Sequence, residues 1–127
     1  AITIKADISN EEEVKSMIRT VVERFGKIDI LVNNSAVNYD TLFQDKTTEK
    51  FRRTLDVNVI GTFLVSKYAG EVMYNNKYGK IINLSSTNGI NTYFPMCIDY
   101  DASKAAIISL TSSNLSPKPS SRAASIC

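Results

Sequence analysis

Two short apolar runs each end in a cluster of polar residues, with amphipathic segments of helical length around them. Residues 28–32 read Ile-Asp-Ile-Leu-Val and stop at Asn33, Asn34, Ser35 and Ala36; residues 80–84 read Lys-Ile-Ile-Asn-Leu and stop at Ser85 and Ser86. Near-continuous apolar runs of this length suit parallel strands covered on both faces. Alternating with helices of crossover length, they predict an α/β fold: a doubly wound parallel sheet with helices on both faces. Ligands in such sheets bind beyond the carboxyl ends of the strands. The two polar clusters, together with Asp7 at the end of a first predicted strand over residues 2–8, therefore converge on one crevice.

Between the strands the helical pattern is clear. Ser9 with Glu12, or Asn10 with Glu13, makes a capping box. Val14, Met17, Ile18, Val21, Val22 and Phe25 repeat at three and four, and Gly26 stands where a left-handed C-terminal cap is usual. After an irregular loop over residues 37–46, Thr47 or Thr48 opens a long helix to about residue 74, with Phe51, Leu55, Val59, Phe63 and Met73 on its buried side. Asn58 lies inside that helix among apolar neighbours, where a poor helix former usually has a partner or a task. The adjacent asparagines after residue 32 could equally form a turn closed by their own side chains.

The most informative stretch is residues 81–104. An apolar strand ends in Ser85 and Ser86, a polar loop with Gly89 and Pro95 follows, and Tyr100 stands four residues before Lys104 on a helical pattern of Ala105, Ile107, Ile108 and Leu110. Residues i and i+4 of a helix share a face about 5–6 Å apart. A serine at a strand end facing a Tyr–Lys pair can perform acid/base chemistry without histidine, and the 127 residues contain no histidine. That excludes a Ser-His-Asp triad and argues against a catalytic zinc site, so no metal is expected. Taken singly, Tyr100 and Lys104 read equally as a surface pair, Ser86 as a turn residue and Asn58 as a satisfied helix polar. Cys97 has no basic neighbour in sequence to activate it.

Charge and composition narrow the setting. The last fifteen residues hold Lys118 and Arg122 and no acid, so residues 1–112 balance at 13 bases and 13 acids, giving no electrostatic reason to expect nucleic acid. No apolar run approaches the ~20 residues of a membrane span. Two distant cysteines, Cys97 and Cys127, fit a reduced cytoplasmic protein better than a disulfide scaffold. Beyond Thr111 the helical period stops, Pro117 and Pro119 forbid its return, and residues 113–127 read as a Ser/Pro-rich disordered tail behind a domain spanning residues 1–112.

Taken together, these residues resemble the short-chain dehydrogenase/reductase family in its compact NAD(P)-dependent form, which includes 3-oxoacyl-carrier-protein reductases and glucose dehydrogenases. Asp7-Ile8 resembles the pair whose carboxylate meets the adenine amino group, and Asn33-Asn34-Ser35-Ala36 resembles the Asn-Asn-Ala-Gly segment beside the cofactor. Asp56-Val57-Asn58-Val59 resembles the segment with the catalytic asparagine, Ser86 matches the catalytic serine (with Ser85 the competing neighbour), and Tyr100 to Lys104 matches Tyr-x-x-x-Lys. The motifs stand in family order from residue 1 to about 111.

The resemblance implies hydride transfer between a nicotinamide and an alcohol or carbonyl substrate. Tyr100 would be the acid/base, and Lys104 the cation that favours phenolate and holds the nicotinamide ribose. Ser86 would bind the substrate oxygen, and Asn58 would hold a water linking Lys104 to solvent. Asp7, Ile8, Asn33, Ser35 and Ala36, with Tyr100 and Lys104, would bind NAD or NADP. A homodimer or homotetramer is implied, paired through the long helix and the helix at Tyr100. The family's glycine-rich phosphate turn is not among these residues, which reads as a piece of a longer chain starting at the third strand, with two strands of the order 3-2-1-4-5 lying between residues 2–8 and 28–32. The change after Thr111 reads as a reading-frame or gene-model error, or an aberrant C-terminus. The competing expectation is a non-catalytic fragment or pseudo-enzyme that keeps only the helix-pairing surface.

Overall fold

The computed structural model describes residues 1–92 and 94–113, and the backbone of residues 122–126. Its elements run α1 (Glu11–Phe25), β1 (Ile30–Asn33), α2 (Thr48–Leu55), α3 (Thr62–Asn75), β2 (Lys80–Leu84), α4 (Ile98–Ser112) and β3 (Arg122–Ile126). The strands form one sheet in the order β1-β2-β3. Both pairings are parallel, with Asn33 opposite Asn83 in the first.

Helix α1 starts at Asn10, whose side-chain oxygen accepts from the Glu12 and Glu13 amides at 3.0 and 3.2 Å. Ser9 is turned away, its hydroxyl donating to Asp7 Oδ1 at 2.6 Å. The reciprocal half of the box goes elsewhere, because Glu13 Oε2 accepts from the Asp7 amide at 2.8 Å. Gly26 ends the helix at φ 79°, a left-handed geometry that costs glycine little.

The long helix runs from Thr48 to Asn75 as expected, but Asp56–Gly61 forms π-type turns between α2 and α3. Wider turns rotate everything downstream. Of the expected buried face, Met73 is buried and Phe51, Leu55 and Val59 are half-buried, but Phe63 is 42% exposed, while Leu64, Val65 and Ala69 are buried instead. Gly61 closes the π segment beneath Ile8, where a Cβ would come within 2.7 Å of the Ile8 side chain.

The sheet carries its helices on one side. Asn33 donates to Ser66 of α3 at 2.9 Å and to Asn83 Oδ1 at 2.8 Å, and Asn83 donates to Thr111 of α4 at 3.0 Å. Neighbouring side chains that reach both α3 and α4 place these helices on the same face. Against Leu31 on that face packs the core of Val14, Ile18, Leu64, Val65 and Ala69, which joins α1 to α3. Ile30 and Val32 point the other way and are 57% and 53% exposed. Helices on both faces were expected; among the described residues they cover one. Crossovers of one hand that step along a sheet in one direction deposit their helices on one side.

Two further expectations differ. Residues 2–8 form no strand, because a strand exists through its ladder and no neighbour stands beside this segment among the described residues. Of the expected disordered tail, residues 114–121 and 127 lie outside the described residues, whereas Arg122–Ile126 forms β3 beside β2. The helix expected to open at Tyr100 starts two residues earlier, at Ile98, with Asp99 and Asp101 in its first turn, where carboxylates suit the helix dipole.

Candidate active site

Helix α4 places Tyr100 and Lys104 on one face, with the Lys104 ammonium 5.5 Å from the centre of the Tyr100 ring. Tyr100 is half-buried, while Lys104 is 5% exposed. Its Nζ donates to the Leu84 carbonyl at the end of β2 at 2.8 Å. Burial disfavours the charged form and pushes the Lys104 pKa below its ordinary value. An ammonium has three donors, and the Leu84 bond uses one.

The two serines after β2 are told apart by their hydrogen bonds. Ser85 donates its proton to the Lys104 carbonyl at 2.8 Å, tying the strand end to α4. Ser86 instead accepts from the Asn88 amide at 3.2 Å, and its own proton has no acceptor among the described residues. Only Ser86 therefore offers a hydroxyl donor, the property expected of the residue that binds a substrate oxygen. Gly89 brings this turn against α4, since a Cβ there would lie 2.8 Å from the Lys104 carbonyl carbon.

Asn58 is 1% exposed in the π segment and its side chain is fully engaged. Oδ1 accepts from the Val37 amide at 2.8 Å, and Nδ2 donates to the Val37 carbonyl and to Ser103 Oγ, both at 2.9 Å. Ser103 passes the chain on by donating to the Tyr100 carbonyl at 2.7 Å. Asn58 is thus joined to the Tyr100 turn through one hydroxyl, and to the loop after β1 through both halves of a peptide-like pair.

The expected cofactor residues fall into separate groups. Ile8, Asn33 and Ser35 line one cavity of about 200 Å³, with Thr62 and Val65. Ala36 lies in the adjoining exposed loop. Asp7 stands with Ser9 and Arg53: Oδ1 accepts from the Ser9 hydroxyl at 2.6 Å and its amide at 3.0 Å, and Oδ2 accepts from Arg53 at 2.9 Å. These bonds, the Ser9 hydroxyl first, lower the Asp7 pKa to about 2.

Sequence reasoning missed the acids on either side of Tyr100. Asp99 is fully buried; Oδ1 accepts from Lys46 at 2.8 Å and Oδ2 from the Thr54 hydroxyl at 2.6 Å. Lys46 also donates to the Tyr39 carbonyl. Burial pushes the Asp99 carboxyl up, but Lys46 and Thr54 outweigh it and hold the pKa below the ordinary value. Asp101, 6% exposed, accepts from Asn88 Nδ2 at 2.8 Å. Two acids beside a helical tyrosine were a visible signal, but Lys46 and Asn88 could be matched to them only in three dimensions. Cys97 is a buried free thiol. Burial, and then its contact with Asp40, push its pKa up, which suits an inert residue.

The carboxyl ends of a parallel sheet thus gather a buried lysine, a tyrosine one turn before it, a serine hydroxyl and a buried asparagine. The chain belongs to the short chain dehydrogenase family, which it matches over residues 1–117. It is 36% identical over 111 residues to the 3-oxoacyl-[acyl-carrier-protein] reductase of Synechocystis sp., covering 87% of this chain and 44% of that protein. Among solved structures it resembles an NAD+-bound xylitol dehydrogenase, with a TM-score of 0.81 and 38% identity over 85% of this chain and 42% of the other. ElxO with NADP bound gives a TM-score of 0.81 at 34% identity, covering 87% of this chain and 44% of that one. The chain thus spans less than half the length of the relatives it matches.

Proposed function

We propose that the protein carrying these residues is an NAD(P)-dependent oxidoreductase acting on a small alcohol or carbonyl substrate. When bound, the nicotinamide cofactor supplies or accepts the hydride. Tyr100 gives the substrate oxygen its proton or takes it away, and the Lys104 ammonium stabilises the phenolate left behind. Ser86 donates to the substrate oxygen and stabilises the charge that develops there. Lys104 retains two donors for ribose hydroxyls, which is why the residues present fit the nicotinamide end of the cofactor. Asn58, whose side chain is committed to Val37 and Ser103, would hold a water that links Lys104 to solvent. Asp7 would accept from the adenine amino group, and the cavity at Ile8, Asn33 and Ser35 with neighbouring Ala36 would flank the cofactor.

The observation that carries this reading is the pairing of a nearly fully buried Lys104 with Tyr100 at 5.5 Å, beside a serine whose proton has no acceptor among the described residues. A second reading, a non-catalytic remnant that keeps only a pairing surface, rests on the apolar side chains exposed on the long helix and α4. Both readings include self-association. Ile60, Phe63 and Ile98, 46%, 42% and 36% exposed on the long helix and α4, would form the apolar part of a homodimer or homotetramer contact. No helix among the described residues is long and apolar enough to cross a membrane, and a reducing cytoplasm suits the free Cys97.

Fluorescence titration with NADH and with NADPH, followed by turnover assays, tests the proposal. Tyr100→Phe is expected to lower turnover by roughly 10²–10⁴-fold, the usual worth of a general acid/base, while leaving cofactor affinity unchanged. Turnover that survives Tyr100→Phe would overturn the catalytic assignment, and no binding of either nucleotide by this chain would favour the remnant.

A further inference from the structure

We propose that Asp101 is a positioning residue that fixes Ser86 against the turn carrying Tyr100, acting through Asn88; the inference rests on the roles given above to Ser86 and Tyr100. Asp101 follows Tyr100 in the first turn of α4 and faces the 86–89 turn rather than solvent. Its Oδ1 accepts from Asn88 Nδ2 at 2.8 Å, and the Asn88 amide in turn donates to Ser86 Oγ at 3.2 Å. The same turn is closed by the Gly89 amide on the Ser86 carbonyl at 3.0 Å. It is pressed onto the backbone of Lys104 and Ala105 by the missing side chain at position 89.

The other Asp101 oxygen makes the contact informative. Oδ2 is buried and has no hydrogen-bond partner among the described residues. A half-satisfied buried carboxylate is costly, so a residue serving packing alone would be better apolar or small. What the carboxylate provides is one charge-assisted bond, roughly twice as strong as a neutral one, aimed at a single amide. By fixing the Asn88 side chain, that bond orients the Asn88 N–H onto one lone pair of Ser86 Oγ. The Ser86 hydroxyl then has its acceptor side occupied and its proton free to donate. Asp99, on the other side of Tyr100, ties the opposite wall through Lys46 and Thr54, so the two carboxylates bracket the tyrosine.

The test uses the whole chain with Asp101→Ala, Asp101→Asn and Ser86→Ala, read by amide hydrogen exchange and by turnover. Asp101→Ala is expected to speed exchange of the Asn88 amide about tenfold or more while α4 amides keep their protection, because a lost local hydrogen bond opens the turn and leaves the helix closed. Asp101→Asn, which can present its amide oxygen to Asn88, should restore protection. In turnover, Asp101→Ala should lower kcat without raising the KM for cofactor, and Ser86→Ala should cost much less in the Asp101→Ala background than in the parent. Unchanged Asn88 exchange in Asp101→Ala, or strictly additive losses in the double variant, would overturn the proposal. A chain whose turnover survives Tyr100→Phe would sink the catalytic reading alone, since the exchange measurement still decides the Asp101–Asn88–Ser86 linkage.

Discussion

At the scale of single residues, electrostatic consequences follow from who holds each carboxylate. Asp7 is held by Ser9 and Arg53, which lower its pKa from the ordinary 3.8 to about 2. A carboxyl whose folded pKa is depressed contributes stability that is present above the unfolded value and is lost as pH falls toward the folded one. The window for Asp7 therefore runs from 3.8 down to about 2. Carboxyl ¹³C titration should find the Asp7 midpoint near the lower figure, and Arg53→Met should move it upward. A midpoint at the ordinary carboxylate value in the parent chain would contradict the Ser9 and Arg53 bonds.

Among the elements, the junction of the 37–46 loop, α2 and α4 depends on one buried ion pair. Lys46 and Asp99 lie 2.8 Å apart, with side chains 4% and 0% exposed. Removing one partner strands a charge without solvent, so Lys46→Met should cost about 3–5 kcal/mol in urea unfolding. Combining it with Asp99→Leu should recover most of that loss, because an apolar pair of similar volume often replaces a buried ion pair at little cost. The sign with pH is that of Asp7: the lowered Asp99 pKa makes the junction weaken as pH falls below the ordinary carboxylate range, and the double variant should lose that dependence. If the single and double variants unfold at the same urea concentration, the pair is not what holds the junction.

For the molecule as a whole, the one-sided sheet leaves an apolar face formed by Ile30 and Val32. Exposed apolar patches favour association. The 127-residue chain should therefore bind a hydrophobic dye and sediment with a concentration-dependent mass, and the Ile30→Thr/Val32→Thr double variant should reduce both. Unchanged sedimentation in that variant would direct attention to the long helix and α4. Much of this architecture was legible in sequence. The period of α1, the left-handed cap at Gly26, the strand at Lys80–Leu84, and the alternation that demands a parallel sheet are all set by local chemistry and by chain-connection rules. The Tyr100–Lys104 pair was legible for the same reason, since helical spacing alone puts the two on one face. Other features required the folded chain, because each depends on groups remote in sequence. Residues 2–8 lack a strand for want of a neighbour, and the helix face turned because π-type turns intervened. Likewise Ser85 was separated from Ser86 by the Lys104 carbonyl, and the acids beside Tyr100 found Lys46 and Asn88 across the fold. Periodicity and caps act within a few residues, so sequence determines them; the partner of a buried polar atom is chosen by tertiary packing, where the cost of leaving it unpaired is decided.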